Sequence, residues 1–305
     1  MLPRGESMLK YRSMKQGTGN FVTLFSVAAL LLVAACGGVT RLLELRQIDS
    51  ELLGRSKEFS VLRAPAAEGV DPATLPVVVL LHGMGDNHVS LDRFGLSERL
   101  RAAMGEGRVP RAHFIMPDGE RGFWIDWHDG SLLYERYVLE EILPAGEALL
   151  GVEGGRDRRH VMGVSMGGIG ALQIGLRHPE QFASITSLSG LILDAERARD
   201  FLHTAFVRHV VDLERVFGDG TDEAYMNAWN PFCTSARRAP DLGQKIFLAA
   251  GSREDEDFRT TTTAFHEHLE RLGVDHEFEI YDGEHGWKWW APVIERSIAY
   301  VIGGS

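Results

Sequence analysis

The chain has 305 residues, 44% hydrophobic and 25% charged, with 32 Lys and Arg against 43 Asp and Glu and only two cysteines. That composition builds a sizeable core, so it excludes intrinsic disorder and a miniature domain held by disulfides. A formal charge of −11 argues against a nucleic-acid surface, because phosphates need stripes of Lys and Arg.

Residues 21–35, FVTLFSVAALLLVAA, form the one long apolar run, preceded by Arg4, Lys10, Arg12 and Lys15 with Glu6 as the single acid. A basic segment followed by an apolar stretch this short predicts a secretory signal peptide over 1–35, with an uncleaved anchor helix as the alternative. Met14 is a second candidate start. The run ends in Val33-Ala34-Ala35-Cys36-Gly37, which looks like a bacterial lipobox, and Cys36 is therefore the predicted lipidation site. The expected product is an extracytoplasmic protein tethered to a membrane by its N-terminal lipid, with 36–47 as tether. The absence of aspartate after Cys36 favours the outer membrane where a cell has two. Without the leader's four basic residues and one acid the body carries about −14. Cys233 is then a lone thiol, and stability outside the cell must come from the core.

From residue 48 to 303 the pattern alternates. Apolar, β-branched runs at 76–83, 112–119, 159–165, 182–190 and 245–252 read as buried parallel strands, and 276–283 as a last, alternating one. Helical spacing fills 91–104, 132–150, 168–177, 261–272 and 292–302, and 56–65 reads as an antiparallel edge strand. The predicted fold is one α/β domain with a mostly parallel, doubly wound sheet, whose chemistry sits at the carboxyl ends of the strands. Residues 191–240 interrupt the rhythm, helical and charged first and loop-like later. They are expected to form a cap-like insertion over the site, the alternative being a plain helical crossover.

Gly163-Val164-Ser165-Met166-Gly167 is G-x-S-x-G between a strand and a helix, the context in which the motif makes a nucleophile elbow. A serine hydroxyl needs a histidine base and a carboxylate to orient it, in chain order Ser, acid, His. His285 lies in the glycine-flanked loop after the last strand, where the base belongs. The acid should follow 245–252, where Glu254, Asp255, Glu256 and Asp257 are consecutive. Asp255, four residues past Gly251, is the first choice, with Glu254 second and Asp257 third. The N–H of Met166 and that of Met84, in the glycine-rich loop after 76–83, are the predicted oxyanion hole. His82 and His88 have the wrong spacing for a metal box. No metal or cofactor is expected.

These segments, LPVVVLLHGMGDN, FIMPDG, FWIDWHDG, HVMGVSMGGIGALQIGLRHPEQF, FLAAGSREDEDF and YDGEHGWKWW, together resemble the esterase D-type family of putative esterases. That group contains S-formylglutathione hydrolases, feruloyl and acetylxylan esterases, siderophore esterases and mycolyltransferases. The resemblance runs over roughly 48–302. It implies an α/β-hydrolase fold and ester cleavage through an acyl-serine, with Ser165 and His285 on the family's motifs. The family's acid stands three residues beyond the glycine, which selects Glu254 by strict counting and Asp255 after a one-residue insertion. The segment holding Trp124, Asp126 and Trp127 lies near the substrate pocket in such esterases, and with Trp287, Trp289 and Trp290 it suggests aromatic walls. Trp124, Trp127 and Trp287 are the predicted substrate contacts, packing in the core being the alternative. The expected substrate is a small-molecule or glycan-linked ester. An acyltransferase using the same acyl-serine, and a binding lipoprotein with its catalysis lost, are the competing readings.

Overall fold

The buried runs pair into one eight-stranded sheet in the computed structural model, which describes residues 42–202, 212–239 and 242–303. The leader, Cys36 and the start of the tether lie outside the described residues. The strands are β1 Leu43–Ser50, β2 Arg55–Leu62, β3 Val77–Leu81, β4 His113–Pro117, β5 Arg159–Val164, β6 Ser184–Leu188, β7 Lys245–Gly251 and β8 His276–Tyr281. They are ordered β1-β2-β4-β3-β5-β6-β7-β8, antiparallel at β1, β2 and β4 and parallel from β4 onward.

Alternation along each strand explains the continuous apolar runs. Val77, Val79, Leu81, Val161 and Ile246 face one core cluster, while Val78, Leu80, Met162, Val164 and Phe247 face the other. Helices cover both faces, so neither set of side chains meets water. The helices in chain order are α1 Leu96–Gly105, α2 Leu143–Leu150, α3 Met166–Arg177, α4 Ala195–Leu202, α5 Leu213–Phe217, α6 Glu223–Trp229, α7 Pro231–Arg238, α8 Glu256–Arg271 and α9 Trp287–Gly303.

Four expectations are corrected. Residues 43–47, assigned to the tether, belong to β1, which pairs with β2 along its whole length. The strand expected at the edge, β2, is therefore interior, flanked by β1 and β4. The helix expected over 91–104 is split, because Gly95 at φ 67° separates the turn Ser90–Arg93 from α1. The helix expected over 132–150 contains a π-helical stretch, Tyr137–Ile142, ending two residues before Pro144. Proline has no N–H and its ring crowds the carbonyl one turn earlier, and the wider turn relieves both.

Strand order reverses at β3: β4 follows it on one side and β5 on the other. A crevice opens at such a reversal beyond the carboxyl ends of the strands. Leu81, the last residue of β3, pairs with Gly163, so the loop after β3 and the turn after β5 emerge side by side.

Beneath that edge His160, 5% exposed, faces the Ser184 hydroxyl at 2.7 Å. Burial, helped by the Lys245 ammonium, holds its pKa down at about 4. Between pH about 6.5 and about 4 the unfolded chain therefore binds a proton that the native state refuses, and stability falls as pH falls through that window. Urea unfolding at pH 7 and pH 4.5 should show a stability loss smaller by about 2 kcal/mol in His160→Asn than in the unsubstituted protein. Equal losses in the two proteins would rule out this contribution.

Candidate active site

The turn between β5 and α3 brings backbone so close to backbone that side chains are excluded on both sides of Ser165. A Cβ on Gly163 would overlap the Gly167 carbonyl, and one on Gly167 would overlap the Leu81 carbonyl. Ser165 itself sits at φ 57°, ψ −122°, a conformation that costs a non-glycine residue about 1–3 kcal/mol. It is held by hydrogen bonds from Ser165 N–H to the Leu188 carbonyl at 2.8 Å and from Gly168 N–H to the Ser165 carbonyl at 2.8 Å. The result is a hydroxyl lifted clear of the turn at the N-terminal end of α3, where the helix dipole favours a developing negative charge.

His285 Nε2 lies 2.9 Å from Ser165 Oγ, and His285 Nδ1 lies 3.4 Å from Glu254 Oε2. The imidazole is held edge-on by Trp290 and against the ring of Phe258, with centroids at 4.9 and 4.4 Å. Long contacts of this kind are common in unliganded sites and tighten when substrate closes them.

The carboxylate facing the base is thus Glu254, and Asp255 is corrected. Asp255 stands outside the relay as the N-cap of α8, its side chain accepting from the Asp257 N–H. Glu254 comes one residue earlier, where the chain still follows β7: Ser252 N–H bonds the Tyr281 carbonyl at 2.8 Å and Arg253 N–H the Gly283 carbonyl at 2.9 Å. These two bonds fasten the acid loop to the base loop. The side chain of Glu254 is fully buried. Its Oε1 accepts from Tyr281 Oη at 2.6 Å, from Gly251 N–H at 3.1 Å and from Ser189 Oγ, whose oxygen in turn accepts from Trp290 Nε1 at 2.8 Å. Burial pushes its pKa up, but the hydrogen bonds from His285, Ser189 and Tyr281 outweigh this and leave it below the usual glutamate value. Ser189 and Tyr281 were not singled out by sequence, although Tyr281 ends β8 just before the His285 loop and Ser189 immediately follows β6, the strand next to the elbow; Trp290, expected in an aromatic substrate wall, instead braces His285 and Ser189.

Both expected oxyanion donors belong to residues beside the nucleophile. Met166 opens α3, and a Cβ on Gly83 would lie 3.1 Å from the Ser165 Cβ, which brings the His82-Gly83-Met84 loop against it. Met84 and Met166 both border the cavity that contains Ser165. The ring of His82 braces this loop: Nε2 accepts from the Gly119 N–H at 3.0 Å, so Nδ1 carries the hydrogen that reaches the Gly83 carbonyl at 2.7 Å.

The three tryptophans expected to contact substrate lie elsewhere. Trp124 is fully buried and donates from Nε1 to the His82 carbonyl at 3.2 Å, supporting the loop from behind. Trp287, 6% exposed, donates to Asp86 Oδ2 at 2.8 Å and packs on Phe94 and Trp290. Trp127 borders an adjoining polar cavity of about 480 Å³, which shares Gly85 and Arg121 with the Ser165 cavity, and the Arg215 guanidinium lies over its ring at 5.1 Å. Next to it the Asp126 carboxyl is pushed up to about 6 by burial, and its backbone carbonyl accepts from Tyr225 Oη at 2.6 Å.

The cavity on Ser165 measures about 640 Å³ and is walled by Phe123, Ile169, Leu191, Phe217, Met226, Trp229 and Phe258. Leu191, Phe217, Met226 and Trp229, from the described parts of the segment expected as a cap, line this cavity, while α7 packs back onto α3 as a crossover helix would. Trp229 is clamped from outside: the Arg177 guanidinium stacks on its ring at 4.0 Å, donates to the Ala228 carbonyl at 2.9 Å and is held by both oxygens of buried Glu135. The apolar spacing Tyr225, Met226, Trp229 was the available sequence signal for this wall.

A nucleophile elbow at a topological switch point, with a serine, a histidine and a buried carboxylate in line, defines a serine hydrolase of the α/β-hydrolase class. The chain belongs to the family of putative esterases, whose model matches residues 54–300. It is a serine hydrolase acting on esters. An acetyl esterase of Caldicellulosiruptor saccharolyticus is 26% identical over 244 residues, covering 76% of this chain and 85% of that one. Esterase Rv1288 of Mycobacterium tuberculosis is 29% identical over 238 residues, covering 70% of this chain but 49% of that longer protein. Among solved structures, the fluorophosphonate-binding serine hydrolase FphF of Staphylococcus aureus shares the fold with a TM-score of 0.71 at 19% identity, over 85% of this chain and 98% of that one.

Proposed function

We propose that the chain is a carboxylesterase in which Ser165, His285 and Glu254 form the catalytic relay. The observation that carries this reading is the 2.9 Å contact of His285 Nε2 with Ser165 Oγ, backed by Glu254. Ser165 Oγ attacks the ester carbonyl while His285 Nε2 takes its proton, and the oxyanion is met by the N–H groups of Met84 and Met166. His285 returns the proton to the departing alcohol oxygen as the carbonyl–oxygen bond breaks, leaving an acyl-serine. Water, deprotonated by His285, then releases the acid and restores Ser165. Glu254 stays ionised and stabilises the imidazolium.

The working place we propose is outside the cytoplasm, with Cys36 carrying the lipid, on the strength of the basic and apolar leader that ends in Val33-Ala34-Ala35-Cys36. One fractionation experiment addresses both parts. Cells fed a palmitate analogue should show label and p-nitrophenyl acetate hydrolysis together in the membrane fraction, and Cys36→Ser should lose the label while still hydrolysing the ester. Label retained in Cys36→Ser defeats the anchor, and an isolated protein inert toward a broad ester panel defeats the esterase. Adding alcohol acceptors decides between the two uses of the acyl-serine, since an acyltransferase makes more acylated acceptor than free acid.

A further inference from the structure

The Ser165 cavity has a direction. Ser165, Ile169 and Gln173 follow one another turn by turn along α3 and all three border it, so it extends about 12 Å along the helix at about 1.5 Å per residue. Leu191, Leu193, Phe217 and Met226 add to an apolar lining, and the charged residues on its border, Arg121, Asp255 and Asp257, are exposed. Of the two halves of an ester, the hydrocarbon half belongs in such a space, because each methylene taken out of water there stabilises the complex. The polar half has a place of its own. The adjoining cavity, joined at Gly85 and Arg121, presents the mutually bonded Arg55, Glu120 and Tyr134, groups that suit a hydroxylated or charged alcohol and would be desolvated at a loss by an alkyl chain. The acyl chain is thereby assigned to the cavity along α3.

Trp229 stands at the end of that cavity remote from Ser165. Its ring lies 4.0 Å from the guanidinium of Arg177, which is rooted one turn beyond Gln173 and leans back toward the N-terminus of α3 as helical side chains do. The ring is not free to swing aside. Arg177 is fixed by both oxygens of Glu135, itself buried, and by the Ala228 carbonyl at 2.9 Å. Tyr225 meets the Trp229 ring edge-on at 5.9 Å, with its own hydroxyl on the carbonyls of Asp126 and Val216. A ring pinned on two sides ends a cavity sharply, because close-packed neighbours leave it nowhere to go when a longer ligand presses on it.

Contact with the ring takes about 3.5–4 Å of the available length, and an extended chain advances about 1.2 Å per bond. The remaining length, about 8 Å, holds about six or seven bonds. We propose that Trp229 is a specificity-determining residue that ends the acyl site and sets its capacity at a linear chain of about six to eight carbons. The substrate class is thus a medium-chain fatty acyl ester of a polar alcohol. The inference rests on Ser165 being the nucleophile and adds which acyl group it receives. Shorter chains leave apolar wall unfilled, and longer ones meet a ring that does not yield.

The test uses the purified protein and two series of esters, p-nitrophenyl acylates from acetate to dodecanoate and alkyl acetates from ethyl to octyl, each kept in solution. In the first series kcat/KM should rise from acetate to hexanoate or octanoate by at least about tenfold, each buried methylene giving about threefold, and fall again at dodecanoate by about tenfold. The alkyl acetates should show no such rise. Trp229→Ala should raise the ratio of dodecanoate to hexanoate by at least about tenfold. Trp229→Phe, which keeps an aromatic ring under Arg177, should raise it by a smaller factor, with melting temperatures reporting that both variants are folded. The unsubstituted profile decides the matter even where neither variant folds: a steady decline from acetate, no fall up to dodecanoate, or a rise confined to the alkyl acetates overturns the proposal. So does an unchanged profile in folded Trp229→Ala. Any of these in a protein that still cleaves p-nitrophenyl acetate leaves the esterase reading intact, whereas a protein inert toward every ester overturns that reading and this inference with it.

Discussion

Ser165→Ala should lower kcat on p-nitrophenyl esters by about five to six orders of magnitude, and His285→Ala by a similar factor. The two act as one device: without the hydroxyl there is no acyl-enzyme, and without the imidazole the hydroxyl has no base at 2.9 Å. The double variant should therefore be no worse than either single one, because removing a second member of a broken relay takes nothing further away. Folding should be unaffected. The strained φ of 57° at position 165 is fixed by the close approach of Gly163, Gly167 and Leu81, and alanine inherits that conformation without adding atoms. A fluorophosphonate probe should label the unsubstituted protein at Ser165 and leave Ser165→Ala unlabelled. Comparable turnover by Ser165→Ala, with its melting temperature unchanged, would remove Ser165 from the chemistry.

Glu254→Gln and Asp255→Asn should separate by about four orders of magnitude in kcat, although the residues are adjacent. In Glu254→Gln the amide oxygen can still accept from Ser189 and Tyr281, which places the NH₂ opposite His285 Nδ1. Two donors then face each other, the imidazole is driven to the wrong tautomer, and its protonated form loses the charge that stabilises it. Asp255 accepts one helix N–H at the start of α8, a task asparagine performs equally well, so Asp255→Asn should keep its activity within a few-fold and its melting temperature unchanged. The depressed pKa of Glu254 also fixes a sign. The stability it contributes is present above the ordinary glutamate pKa and is lost as pH falls through its lower native value. A large loss in Asp255→Asn with a mild one in Glu254→Gln, read from kcat of folded variants, would reverse the assignment.

Much of this was written locally in the chain. The runs at 76–83, 112–119, 159–165, 182–190 and 245–252 become β3 to β7 within a few residues, because a strand covered on both faces must be apolar at every position. The elbow was legible because its glycines answer to contacts within one turn, and His285 because it sits in the short loop that ends the last strand. The edge of the sheet was harder: β1 alternates weakly, with exposed Arg46 and Gln47, as an outer strand with one solvated side does.

Four consecutive carboxylates follow β7, and composition alone makes them equivalent. Only the pairing of Ser252 and Arg253 with the β8 loop directs the Glu254 side chain inward to Ser189, Tyr281 and His285 while Asp255, exposed at the edge of the cavity, starts a helix. The tryptophans were misassigned for the same reason. An indole is as suitable for a core as for a pocket, and Trp124 met Gly119 and Gly170, whose bare backbones leave it room, while Trp229 was brought to the cavity by Arg177 from the far end of α3. The sequence by itself therefore determined the class of chemistry, the serine and histidine that the fold brings together and the order of strands from β2 onward, since short-range sterics and hydrophobic periodicity act between near neighbours. Which carboxylate faces His285 and which side chains wall the cavity were decided by the tertiary structure, since each depends on which distant segments meet at the reversal point of the sheet.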